Sequence, residues 1–91
     1  MSSVYEEVRE MFASICDIEE GDISPKLNII DDLAIDSIDF MDVTYEIDMK
    51  YGIKLPVEDW MVRINEKKAT MADYFVFENL IANIQKMIDR P

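Results

Sequence analysis

Asp36-Ser37-Ile38-Asp39 is the stretch whose residue types could support covalent chemistry. A serine hydroxyl stands between two carboxylates where the flanking pattern marks a helix start. Asp36 can accept a hydrogen bond from the free amides of a first turn, and acids there are favoured by the helix dipole. A helix start keeps Ser37 exposed and holds it on a rigid element. The hydroxyl has no nearby His or Lys to take its proton, so it is not a self-activated nucleophile. The bland alternative is an ordinary helix cap. The chain has no histidine and one cysteine, Cys16, which excludes a self-sufficient catalytic triad, an imidazole metal site, a multi-Cys zinc site and an intrachain disulfide. Cys16 is expected to be a packed thiol. Residues 17–22 superficially suggest a calcium loop, but the glycine is displaced and Asn28 stands where a glutamate is needed. No metal site is expected.

The elements that must hold Ser37 follow from periodicity. A first helix is expected over 4–16, opened by Ser3 with Glu6 as a capping box and carrying Val4, Val8, Met11, Phe12 and Ile15 on one stripe. Gly21, Ser24 and Pro25 end that pattern. Residues 17–35 form a long connection, too apolar at Leu27, Ile29, Ile30, Leu33 and Ile35 to point outward, so it should fold back and plug the core. The second helix opens at Asp36 or Ser37 and ends at Tyr51, with Gly52 as the left-handed closing residue. It carries two apolar stripes. Phe40, Val43, Thr44, Ile47 and Tyr51 form the buried one, while Ile38, Met41 and Tyr45 lie on another face beside Asp39, Asp42, Glu46 and Asp48. A short helix over 57–64 follows Pro56 and contains Trp60 and Met61. Thr70, with Asp73 three residues later, caps a last helix running to Asp89, with Tyr74, Phe77, Ile81, Ile84 and Ile88 at helical spacing. The expected fold is all-α, a small bundle of three longer helices, one short helix and a long first loop, with residues 1–91 as a single domain.

The 91 residues carry a net charge of −11, which argues against nucleic acid and anionic membrane partners and for basic ones. The excess is uneven. Residues 31–49 hold seven acids and no base, whereas residues 50–91 hold six acids and seven bases. The longest apolar run, Tyr74-Phe75-Val76-Phe77, is far too short to span a bilayer. The first residues lack the basic-then-apolar order of a signal peptide. A cytoplasmic, monomeric protein is expected.

The sequence resembles an acyl carrier protein. The matching residues are Asp36-Ser37-Ile38-Asp39, the preceding Asp32-Leu33-Ala34-Ile35 and the following Tyr51-Gly52-Ile53-Lys54-Leu55-Pro56. The resemblance implies a four-helix bundle and a non-catalytic role. Ser37 would carry 4′-phosphopantetheine, derived from coenzyme A, through a phosphodiester, and the arm's thiol would hold fatty acyl chains as thioesters. A phosphopantetheinyl transferase would supply the base and the magnesium. Further partners would be fatty acid synthesis enzymes and acyltransferases with basic patches. Asp36, Ile38, Asp39, Met41, Asp42, Tyr45 and Glu46 would form the docking face, its apolar members making contact and its acids steering. The alternative for those acids is a solvated helix face.

The segment after Pro56 departs from the common fatty-acid-synthesis carriers, which are shorter there. Val57-Glu58-Asp59-Trp60-Met61, the polar stretch 65–68 and Tyr74-Phe75-Val76-Phe77-Glu78-Asn79-Leu80 look like the specialised carriers of very-long-chain hydroxy fatty acids for lipid A in rhizobia. In the family the acyl chain enters the core between helices, so Phe40, Val43, Thr44, Ile47, Ile53, Trp60, Tyr74, Phe75 and Phe77 are the expected acyl pocket. Their alternative role is plain core. Two other functions stay open: a carrier for polyketide or peptide synthesis, and an acidic helical binding protein with no prosthetic group.

Overall fold

The computed structural model describes residues 3–33 and 35–89. Ala34 of the matching segment, and the first two and last two residues, lie outside them. The described chain runs α1 (Val4–Ile15), a 3-10 turn (Glu20–Asp22), α2 (Ser37–Tyr51), α3 (Val57–Asn65), α4 (Met71–Phe75) and α5 (Phe77–Asp89). The all-α reading holds.

Three helices, α1, α2 and α4, start where a side chain takes up a free amide. Ser3 Oγ accepts from the Glu6 amide at 3.1 Å, one half of the expected box. Thr70 and Asp73 form a complete reciprocal box at the start of α4. Three helix ends are closed by left-handed residues. Gly52 (φ 64°) follows α2 as expected, and Asp17 (φ 55°) and Lys67 (φ 60°) do the same after α1 and α3. The amides of Ile18, Ile53 and Lys68 reach back to the carbonyls of Ala13, Asp48 and Arg63 at 3.0, 3.2 and 2.9 Å. These bonds satisfy carbonyls that a helix end otherwise leaves orphaned.

The last helix is not continuous. Val76 is extended (φ −67°, ψ 130°) and separates α4 from α5. The cause is tertiary. Val76 forms an antiparallel bridge with Asn28, in which the Ile29 amide donates to the Phe75 carbonyl at 2.9 Å and the Phe77 amide to the Leu27 carbonyl at 2.7 Å. The Glu78 amide also donates to the Pro25 carbonyl at 2.9 Å. A loop strand cannot bond to backbone groups already used inside a helix, so the helix opens at this residue.

The long loop plugs the core, with Ile23 and Ile29 fully buried beside Val8, Phe12, Val43, Ile47, Phe77, Leu80 and Ile84. Aromatic rings run through this interior in sequence. Tyr5 packs edge-on to Phe77 (5.0 Å), Phe77 and Phe40 flank Phe12, Phe40 meets Phe75 edge-on (5.7 Å), and Phe75 meets Trp60 (6.0 Å). Such offset and edge contacts add to the area these rings bury. The core therefore links α1, α2, α3 and both halves of the C-terminal hairpin, and it fixes the direction in which α2 presents its outer face.

Candidate functional site

Ser37 is the first residue of α2, and its side chain is exposed. Asp36 performs the capping, accepting from the Ile38 amide at 3.2 Å, while its own carbonyl accepts from Phe40 at 2.9 Å. The serine hydroxyl is thus left for other use on a turn that is already closed. The remaining first-turn amides and the helix dipole would favour an anionic group there, against the opposing charges of Asp36 and Asp39.

Along α2 the second apolar stripe does face solvent. Ile38 is 69% exposed, Met41 59% and Tyr45 65%. Asp36, Asp42 and Glu46 are exposed, and Asp39 is partly so. The stripe continues to Met49, 67% exposed, which the sequence reading missed although it lies one turn beyond Tyr45. Met61 and Val62 of α3 are also exposed; Met61 was noted only as a helix member, and Val62 was not singled out. Cys16 lies close enough to this face for Asp39 and Asp42 to matter. Burial, then those two charges, push its thiol above the ordinary range, so it stays protonated and unreactive at neutral pH.

A cleft of about 390 Å³ opens between α2 and the start of α3, lined by Met41, Thr44, Asp48, Leu55, Pro56 and Val57 among others. Asp48 shapes it by accepting from the Leu55 amide at 3.0 Å. Met41 lies one helical turn from Ser37, a rise of about 6 Å, so the cleft begins near the serine. Of the nine residues expected to line an acyl pocket, only Thr44 borders this cleft. Phe40, Val43, Ile47, Trp60, Phe75 and Phe77 are packed in the core, with Ile53 and Tyr74 partly buried against it. The cleft's own lining from Asp48 to Asp59 was not anticipated, because it is formed by mixed polar and apolar residues rather than by an apolar stripe.

A family model described as the phosphopantetheine attachment site matches residues 6–66. The acyl carrier protein AcpXL of Brucella melitensis is 41% identical over 88 residues, covering 97% of this chain and 95% of that protein. The chain belongs to the acyl carrier protein family. AcpXL of Mesorhizobium japonicum is also 41% identical over the same shares of both chains. The meromycolate extension acyl carrier protein of Mycobacterium tuberculosis is 35% identical over 52 residues, 57% of this chain and 45% of that one.

As an acyl carrier protein the molecule is a non-catalytic carrier whose prosthetic group is phosphopantetheine, bearing acyl chains. An exposed hydroxyl on a capped helix start suits a phosphodiester. Membership of the family implies dealings with fatty acid synthesis enzymes and acyltransferases. Among the described residues no helix is long and apolar enough to cross a membrane.

Proposed function

We propose that Ser37 is the attachment site for 4′-phosphopantetheine, that residues 1–91 act as one monomeric, cytoplasmic carrier unit, and that its acyl cargo is destined for lipid A. The observation carrying the site is the division of labour at the start of α2: Asp36 caps the helix, and the neighbouring Ser37 is exposed. The near full-length likeness to AcpXL proteins, together with the Trp60 to Leu80 segment, supports the lipid A assignment over general fatty acid synthesis. Ile38, Met41, Tyr45 and Met49 supply the contact face, and Asp36, Asp39, Asp42 and Glu46 the steering charge for basic partner enzymes. The acyl chain enters by the α2–α3 cleft and reaches the aromatic core as the helices part.

The test is intact mass after coexpression with a phosphopantetheinyl transferase. The native chain gains the mass of one arm, and Ser37→Ala, which keeps the Asp36 cap, gains none. A modified Ser37→Ala protein overturns the assignment. Identification of the thioester-bound chain from native cells tests the pathway, where a very long hydroxy acyl chain is the expected result.

A further inference from the structure

The bases missing from residues 31–49 gather elsewhere. Arg63 near the end of α3, Lys68 in the turn that follows and Lys86 near the end of α5 line one recess of about 340 Å³, together with Asp73, Tyr74 and Asn83. Three elements contribute these cations, so no single amphipathic helix accounts for their convergence. Arg63 is pre-positioned. Its Nε donates to the Tyr74 hydroxyl at 2.9 Å, and the Tyr74 ring lies flat on Trp60 at 4.8 Å and 6°. That leaves the terminal guanidinium fork for an outside acceptor, the geometry that suits a carboxylate. Asp73, the one carboxylate lining the recess, accepts from the Thr70 amide at 2.8 Å and keeps its charge, so Arg63, Lys68 and Lys86 face a single anion there. Lys68 pairs with Glu66 at 3.3 Å, but both are well exposed and such a pair exchanges at little cost. Lys86 has no ion pair among the described residues.

We infer that this recess is a second docking point, which receives a compact acidic loop of an enzyme whose basic patch meets α2. Charge fixes the kind of occupant. An extended anionic surface, such as a bilayer, would face the whole net charge of −11 and be repelled. A short acidic segment on a partner already held through α2 meets only the local positive potential. Two contacts of opposite sign also set orientation, because a partner bound the wrong way round places like charges together.

The experiment uses the full isotope-labelled chain and follows amide resonances as hexaglutamate peptide is added at about 0.15 M salt, where screening over roughly 8 Å leaves the peptide to meet local charge rather than the whole net charge. Shifts are expected around Arg63, Lys68, Asn83 and Lys86. In a Lys68→Glu/Lys86→Glu double variant, both exposed positions, binding should weaken about tenfold. A hexalysine peptide should still shift the α2 acids to the same extent in that variant. The titration is repeated on Ser37→Ala, where the same result is expected, so a failure of the attachment assignment leaves this test intact. Shifts that are absent, or spread equally over Lys26 and Lys54, overturn the proposal. So does binding of phosphatidylglycerol vesicles through these residues with no response to the peptide.

Discussion

At the scale of single residues, the contact between Tyr51 and Glu7 ties the end of α2 to α1. The Tyr51 hydroxyl donates to Glu7 Oε1 at 2.5 Å, and Lys50 Nζ stands 3.5 Å from Oε2. The tyrosine's hydrogen bond, opposed by burial and aided by Lys50, holds the Glu7 carboxyl below its ordinary value. Burial, then Glu7 itself, push the Tyr51 hydroxyl upward, so it remains a donor across the neutral range. A carboxylate depressed in the folded state contributes stability that is fully present above its unfolded value, near 4.3 on the scale of about ±1 seen in proteins. That contribution is lost as pH falls through the folded value. Thermal unfolding followed from pH 6 downward, on the order of the carboxylate range, should show a shallower acid decline in Glu7→Gln and Tyr51→Phe than in the native chain. Identical slopes in all three would mean the tie contributes nothing. On the outer face, Asp39→Lys, Asp42→Lys or Glu46→Lys should slow modification by the transferase while leaving the melting temperature unchanged or raised. Transfer rates and melting curves on the same samples check both halves of that statement.

At the scale of elements, caps and closures govern where helices begin and end. Gly52 adopts φ 64° with open space where a Cβ would stand. Gly52→Ala therefore meets only backbone strain, and denaturant unfolding should show a loss of about 1 kcal/mol. Thr70→Ala, which removes half of a reciprocal box, should cost about 1 kcal/mol as well. These two sites were legible in the sequence because threonine three residues before an acid and a glycine after an apolar stripe each have a local physical meaning. Asp36 and Ser37 were legible for the same reason. The closures at Asp17 and Lys67 were not, since a lysine gives no sign of a left-handed backbone, and an aspartate, though enriched there, is as common in caps and on solvated faces. The break at Val76 was hidden by Tyr74, Phe77, Ile81, Ile84 and Ile88, whose spacing reads smoothly across it. Only a bridge to Asn28, far away in the chain, opens the helix there. The acyl pocket was equally hard to read. Apolar residues at helical spacing specify burial, and burial is the same pattern whether the space is filled by Trp60 and Phe75 or by a ligand.

At the scale of the whole molecule, the acids on α2 repel one another, and among the described residues no ion pair reaches an α2 acid to offset this. Millimolar magnesium or calcium, or moderate salt, should raise the melting temperature by screening; equal melting with and without divalent ions would refute that account. The aromatic chain from Phe40 through Phe75 to Trp60 and Tyr74 gives the interior its second testable property. Each acyl methylene buried there is worth at most about 0.8 kcal/mol, less the cost of parting packed rings. A series of saturated chains loaded on the pantetheine arm should therefore stabilise progressively at long lengths, with Trp60 emission shifting as the chain reaches the Trp60–Tyr74 stack. A plateau at medium chains with unchanged emission would assign those rings to the core alone. The bridge between Asn28 and Val76 bears on order in time. Ile29 and Phe77 donate across it, so their amides should exchange with solvent as slowly as those of α5, although residue 29 lies in a coil. A ribosome that has released only the first 66 residues has already delivered Ser37 and all of α2, yet none of the backbone partners that anchor the loop leading to them. The proposed attachment serine is made early and the loop leading to it is steadied last, which leaves a nascent chain with Ser37 on a segment still untethered at one end.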